Sequence, residues 1–255
     1  MRKFILGLIL ALTAGSSIAQ DKPEFPYNPD PQVIENVMLP PSRFAKALFD
    51  LLEFHVTSEE RELKYDAEFW YGGDFNRLWV ETEGEHAFRD NSGTVDRVDL
   101  YYARLITPFW DFRIGAGSQF VYSDTYNKSR PYAVVGFQGL APLMFEVDFN
   151  VRIDTRGKVT SDLEAEYDIL LTQRLVVQPR LETLFSFSDI EDVGIYQGLN
   201  NIELGLRARY EFIREFAPYI GVEWIQFLGK LRDTLEKAGQ ETSTVNFLVG
   251  VRAWF

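Results

Sequence analysis

From about residue 48 onward the chain alternates apolar and polar side chains with a period of two, and nowhere there does it run 18 apolar residues in a row. Together these two facts constrain the fold more than composition does. A membrane helix needs about 20 consecutive apolar residues, so none is expected. Alternation with period two marks a strand with one apolar and one polar face. It is clearest at the end of the chain. There Val245, Phe247, Val249, Val251, Ala253 and Phe255 share one face, while Asn246, Gly250, Arg252 and Trp254 lie on the other. The pattern recurs over 145–152, 163–169 and 202–212. In those runs the polar face is rich in Arg and Glu, not in the Lys, Ser and Thr of a solvated sandwich. Such a face suits a water-filled or ionically plugged barrel lumen.

The alternation and turn signals divide the chain into twelve strands, near 48–56, 62–71, 75–83, 95–106, 109–121, 131–138, 144–152, 159–170, 173–186, 199–212, 216–228 and 243–255. The fourth is the least regular, because Leu100, Tyr101 and Tyr102 fall on both faces. Connections alternate between short turns, such as Gly72-Gly73-Asp74 and Thr107-Pro108, and longer polar loops, such as Gly84 to Thr94 and Gly229 to Thr242. An even-stranded barrel with short periplasmic turns and longer outer loops has this rhythm. The expected fold is therefore an all-β transmembrane antiparallel barrel of twelve strands. A helix from Ser42 to Leu52 is the alternative at its start, but the parity of turns favours a strand from Leu48. Phe109, Trp110, Tyr167, Tyr210, Phe212, Phe216, Tyr219, Trp224 and Trp254 fall near the proposed short turns and read as an interfacial girdle.

Ahead of the barrel, Arg2 and Lys3 precede an apolar run from Phe4 to Leu12, and Ser17-Ile18-Ala19 supplies small residues for cleavage. Residues 1–19 thus read as a signal peptide. Residues 20–47 hold six of the eleven prolines and read as an extended periplasmic leader. The barrel then occupies 48–255. Loss of Arg2 and Lys3 takes the net charge from −12 to −14. Such a surface repels nucleic acid, which is not expected as a partner, and attracts cations. With no cysteine, disulfides and thiolate metal sites are excluded.

Particular phrases carry a resemblance. Trp70 to Glu85 reads WYGGDFNRLWVETEGE, Pro108 to Gly117 PFWDFRIGAG, and Gly139 to Asp148 GLAPLMFEVD. Leu163 to Glu182 reads LEAEYDILLTQRLVVQPRLE, Leu204 to Trp224 LGLRARYEFIREFAPYIGVEW, and the chain closes on GVRAWF. In this order these resemble the outer-membrane copper-resistance protein B family, from about Leu48 to Phe255. The resemblance implies an outer-membrane barrel of a Gram-negative bacterium that contributes to copper tolerance, binding copper ions or passing them outward. It also implies outer-membrane lipid, the barrel assembly machinery and periplasmic copper-handling proteins as partners. Many members carry a Met- and His-rich segment before the barrel, whereas residues 20–47 contain Met38 alone and no histidine. The alternative reading is a general or structural barrel without a copper-specific role.

Copper favours thiolate, thioether and imidazole ligands. The candidates are few: His55 near the outer end of the first strand, His86 in the second outer loop, and Met144 beside a short turn. The two histidines are expected at the extracellular mouth, either approaching each other or simply solvated. The acids offer more. Asp66, Glu68, Glu81, Glu83, Glu146, Asp148, Glu164, Glu166, Asp168, Glu182, Glu203, Glu211 and Glu223 fall on proposed inner faces, with Arg77, Arg104, Arg113, Arg152, Arg180, Arg207, Arg209 and Arg252 opposite. Oxygen ligands hold copper(II) weakly, which suits passage. The candidate metal set is therefore Glu164, Glu166, Glu182, Glu203, His55 and His86, with the acids expected to outweigh the histidines. Arg180, Arg207, Arg209, Glu146, Asp148 and Glu223 form a lumen ionic network whose other reading is a ladder that stiffens the barrel. Phe255 reads as the assembly signal. No nucleophile elbow, phosphate loop or zinc spacing is present, so an enzyme is not expected.

Overall fold

The computed structural model describes residues 43–56, 61–89 and 91–255. The signal-peptide and leader readings, and Met38, lie outside the described residues. Thirteen antiparallel segments follow in chain order: β1 (Phe44–Val56), β2 (Arg61–Gly72), β3 (Asn76–Ala87), β4 (Ser92–Thr107), β5 (Trp110–Tyr122), β6 (Asn127–Ala141) and β7 (Phe145–Asp154). The rest are β8 (Val159–Glu166), β9 (Ile169–Leu170), β10 (Leu175–Ser186), β11 (Gly198–Tyr210), β12 (Phe216–Phe227) and β13 (Ser243–Trp254). Apart from β8 and β9, consecutive strands pair with each other, and β13 pairs with β1, so the sheet closes on itself. Both β8 and β9 pair with β10, as Arg180↔Glu166 and Val176↔Leu170. They are one wall position broken at Tyr167 and Asp168, which makes the barrel twelve-stranded as the sequence predicts. Closure gives each of the twelve wall positions two partners, the two-residue β9 alone pairing on one side only, which approaches the condition a β-structure must meet in lipid.

The alternation becomes a wall with two faces. On β13, Val245, Phe247 and Val249 are more than half exposed on the outer surface, while Asn246 and Leu248 are buried. On β11, Leu206 points out at 48% exposure and its neighbour Arg207 points in at 1%. Exposed aromatics ring both ends of the apolar band: Phe75, Phe109, Phe212 and Phe216 at the short-turn end, Phe88, Tyr126 and Phe187 at the other.

Several expectations need correction. The first strand starts at Phe44, ahead of Leu48, and no helix forms over its described residues. In β4, Tyr101 is buried inside while Leu100 and Tyr102 face out. The doubling that blurred this strand in sequence is one inward tyrosine between outward neighbours. Its inward set is 97, 99, 101 and 103, which puts Arg104 on the outer face. Tyr219 is inward, packed with Leu51 and Leu248, so it is not part of a girdle. Trp224 pairs with Leu204 and Val245 near the long-loop end and donates to Ser243 Oγ at 2.9 Å. The loops expected over Gly84 to Thr94 and over Tyr122 to Arg130 are both tight, because β3 runs to Ala87, β4 starts at Ser92, β5 runs to Tyr122 and β6 starts at Asn127. Within β5, a small residue permits close approach: a Cβ on Gly117 would overlap the Asp99 carboxylate.

Among the described residues two connections are long, 187–197 and 228–242. The first carries a 3-10 turn, Glu191–Val193, and folds Ile190 and Ile195 into buried positions. The second carries helix α1, Gly229–Lys237. Lys230 Nζ donates to Asp189 at 2.5 Å and lies 5.6 Å from the Tyr196 ring, while Arg156 of the β7–β8 turn pairs with Asp192. The hydrogen bond from Lys230 holds the Asp189 carboxyl below its ordinary range. The pair thus loses its charge attraction only as pH falls through that depressed value. Lys230→Glu, which sets two like charges together, is expected to speed protease cleavage within 187–197 severalfold. The heat-modifiable gel migration of the barrel should stay unchanged. Equal cleavage rates would show that α1 does not restrain this loop.

Candidate functional site

The lumen is where the polar faces converge, and the strand pleat dictates what enters it. Alternate residues of each strand point inward, so charges two apart in sequence stack along the barrel axis. Arg180, central in β10, is the hub. Its guanidinium lies 2.9 Å from Glu164, 2.8 Å from Glu166 and 2.5 Å from Glu182. Asp50 is 3.4 Å away and Asp66 3.6 Å. The first three acids are cross-strand or next-but-one neighbours, which the register Arg180↔Glu166 and Glu182↔Glu164 makes inevitable. Asp50 arrives by a bulge, since the pairing of β1 with β2 shifts between Phe49 and Leu51.

Two further clusters flank the hub. Arg207 donates to both carboxylate oxygens of Glu53, at 2.6 and 3.0 Å, and to Glu223 at 3.3 Å. Lys64 lies 3.4 Å from Glu203, 3.6 Å from Glu182 and 3.7 Å from Glu223. Across the lumen, Arg113 pairs with Glu81 and with Asp148 at 2.5 Å and lies 4.5 Å from the Tyr101 ring centroid. Asp99 accepts from Tyr101 and Tyr132, each at 2.8 Å, and from Arg152 at 3.1 Å. Arg97 joins the two sides, 3.1 Å from Asp66 and 3.9 Å from Glu164.

Above and below this layer the lumen opens. A cavity of about 540 Å³ at the short-turn end is lined by Asp66, Glu68, Glu81, Glu146, Asp148 and Glu166 among its acids, against Lys46, Arg77, Arg97 and Arg252. A second, of about 350 Å³ at the long-loop end, is lined by Glu62, Glu83, Glu85, Asp96, Glu203 and Glu223 among its acids, against Lys64, Arg97, Arg130 and Arg152. Arg97 and Glu164 line both. Carboxylates outnumber cationic side chains in each chamber, so the electrostatic field along the lumen favours cations.

The sequence-derived residues divide accordingly. Glu164, Glu166, Glu182 and Glu203 come together in one region, with Arg180 and Lys64 as their counter-charges. Arg209 sits apart, 2.7 Å from Asp168 near the short turns. Glu146 is exposed at the edge of the lower chamber. The histidines are not at a shared mouth. His55 is buried in the lumen at 2% exposure, its Nε2–H donating to Glu53 at 2.7 Å. His86 stands on the outer face of β3, stacked on Tyr122 and edge-on to Phe88, with Nδ1 and the Tyr122 hydroxyl 3.1 Å apart. The barrel wall separates them, so they cannot share an ion. Their expected place at the extracellular mouth is thus corrected for both: His55 is inside the lumen and His86 is on the outer wall. Met144 is exposed in the 3-10 turn Pro142–Met144, and Leu143 and Met144 both have positive φ there, 69° and 68°. Phe255 follows β13 and is exposed.

Sequence reasoning missed Asp50, Glu53, Lys64, Arg97, Asp99 and Asn246. Glu53 and Asn246 were within reach of the period-two rule, counted from His55 and Val245. Asp50 was not, because a bulge breaks the count. Among the described residues, no group of three or more His, Cys, Asp or Glu side chains is arranged to hold a metal ion. Glu164, Glu166, Glu182 and Glu203 are each engaged by guanidinium or ammonium groups.

The family model described as "Copper resistance protein B precursor (CopB)" matches residues 43–255. The chain is 40% identical over 209 residues to "Copper resistance protein B" of Escherichia coli, covering 82% of this chain and 68% of that protein. It is 33% identical over 207 residues to "Copper resistance protein B homolog" of Pseudomonas syringae pv. tomato (strain ATCC BAA-871 / DC3000), covering 81% and 68%. Among solved structures the NanC porin superposes with a TM-score of 0.51 at 13% identity, covering 82% of this chain and 99% of the porin. That likeness speaks to the barrel alone.

Proposed function

The chain belongs to the copper resistance protein B family, and from that premise we propose that it sits in the outer membrane of a Gram-negative bacterium and contributes to copper resistance by letting copper ions enter and traverse its lumen outward. The observation that carries this reading is the excess of carboxylates in both chambers, which meet at Arg97 and Glu164. Such a field concentrates a divalent cation, and oxygen ligands release it, since copper binds oxygen less tightly than imidazole or sulfur. Copper here is cargo. Short turns face the periplasm in this reading, where copper-handling proteins would deliver the ion, and the apolar band of Leu206, Phe247 and Val249 meets lipid. Membership of this family supports a non-enzymatic role. Nucleic acid is disfavoured by the charge of −12.

The second reading, a barrel without a copper-specific role, is favoured by the Arg180 hub, whose ion pairs fill the layer between the chambers. Gln substitution separates the two. Glu164→Gln with Glu203→Gln removes charge at nearly constant volume and is expected to lower copper tolerance of a strain that depends on this protein. Copper(II) entry into vesicles holding the purified barrel should fall severalfold. Folded protein must be measured alongside, because Arg180 and Lys64 each lose a counter-charge. Full tolerance and unchanged flux in well-folded variants would leave only the second reading.

A further inference from the structure

We propose that His55, Glu223 and Asn246 form a copper(II) way-station in the wall of the upper chamber; this rests on the reading of copper as cargo and adds where the ion pauses. The three residues come from β1, β12 and β13, which are adjacent around the seam of the barrel. All three line the upper chamber, and all three are at most 2% exposed.

The imidazole of His55 is gripped from one side. Its Nε2–H donates to Glu53 at 2.7 Å, and Glu53 is itself gripped by Arg207 at 2.6 and 3.0 Å. A carboxylate held in this way fixes both ring orientation and tautomer, as the outer carboxylate does in metal sites built on histidine. With the proton on Nε2, Nδ1 carries a lone pair. Two groups face that lone pair: Glu223 Oε2 at 3.6 Å, and the Asn246 side-chain amide, whose Nδ2 lies 3.5 Å away. Glu223 meets its cationic neighbours through the other oxygen, Oε1, with Arg207 at 3.3 Å and Lys64 at 3.7 Å. Oε2 therefore remains turned toward the imidazole.

Asn246 supplies an independent observation. Its carbonyl oxygen Oδ1 is buried without a hydrogen-bond partner among the described residues. A buried amide oxygen left unpaired costs on the order of 1–3 kcal/mol. A half-turn of the amide exchanges Oδ1 and Nδ2 and presents the oxygen to the same space. One imidazole nitrogen, one carboxylate oxygen and one amide oxygen then converge on a water-accessible chamber. Imidazole with oxygen donors suits copper(II) better than the soft copper(I), and water would complete its coordination. The adjacent charges of Arg207 and Lys64 oppose a divalent ion, so occupancy is brief, as a conducting path requires.

The test uses the full chain, purified in detergent, with one equivalent of copper(II) and electron paramagnetic resonance. Only two histidines exist in the sequence, so imidazole coupling has two possible sources. The expected result is coupling to one nitrogen in the native protein and in His86→Gln, and its loss in His55→Gln together with at least a ten-fold rise in Kd. Should His55→Gln fail to fold, Asn246→Asp decides, since a second anionic oxygen is expected to tighten copper(II) binding severalfold. Retained coupling in folded His55→Gln, coupling lost in His86→Gln, or unchanged affinity in Asn246→Asp would each overturn the site. Copper tolerance and vesicle flux are separate readouts. If they stand while the coupling is absent, the way-station fails and the transport reading survives.

Discussion

Replacing Arg180 with methionine is expected to destabilise the barrel by about 3–5 kcal/mol, the usual result of deleting one partner of a buried ion pair. The side chain is 1% exposed and holds Glu164, Glu166 and Glu182 within 2.5–2.9 Å. Methionine keeps the unbranched apolar stem but lacks the guanidinium, so those carboxylates would face one another with Arg97 and Lys64 as their remaining cations. Much of the loss is the cost of stranding acids rather than the worth of the original pairs. Two controls sharpen the result. Arg180→Lys restores charge without the planar fork and should recover only part of the stability. Adding Glu164→Gln and Glu166→Gln to Arg180→Met removes stranded charge and should recover part as well. Urea unfolding in lipid vesicles, followed by tryptophan fluorescence, measures all of these. A loss below about 1 kcal/mol, the range of solvent-exposed pairs, would mean that water screens the hub and that the lumen is wetter than its burial implies.

The second large effect concerns the opposite face of the wall. Leu206→Arg is expected to cost about 2–4 kcal/mol, the penalty for a basic residue on the lipid face near the bilayer midplane. Leu206 pairs with Pro179 and Val222, well inside their strands, and is 48% exposed among outward apolar neighbours. Leu206→Phe, which keeps the position apolar, should stay within roughly 0.5 kcal/mol, as surface substitutions away from special features do. One residue along, Arg207 is already an arginine and is fully enclosed. This sharp reversal between adjacent positions is what a pleated wall between lipid and a charged lumen requires. Equal stability of Leu206→Arg and Leu206→Phe would displace β11 by one residue in register.

These two positions also show what the sequence made legible. Leu206 and Arg207 lie in a run of uninterrupted alternation, and there the period-two rule assigned both faces correctly. It did so again for Val245 to Val249 and for the acids of β8 and β10. It failed where the pleat is interrupted or crowded. Asp50 enters the lumen through a bulge, Arg104 belongs to a strand with two shifts in its pairing with β5, and Tyr219 is one of few inward aromatics. Loop lengths were misjudged because polar residues at strand ends continue the ladder: Glu85, Ser92 and Asn127 are all hydrogen-bonded strand residues. The placement of His55 was misread for a related reason. A position near a strand's end says how far along the axis a residue sits, but not which side of the wall it occupies. Its separation from His86 by that wall was not legible without the register.

The pairing of β1 with β13 has a consequence for how such a chain comes to exist. Every other contact around the ring joins strands that follow one another in the chain and are linked by a turn or loop. That one joins the two ends of the ring, and Asp50 and Arg252 sit across it at 2.7 Å. Loop-closure entropy grows with the length of chain enclosed, about (3/2)RT ln n, so hairpins form readily and this junction comes last. Until then the growing sheet has two bare edges, each able to accept a foreign strand. The order of events is thus written into connectivity rather than into any single residue. It should be transferable: linking the ends of β13 and β1 directly, and opening the chain at a short turn such as 108–109, would preserve every ladder while moving the final junction to β4 and β5.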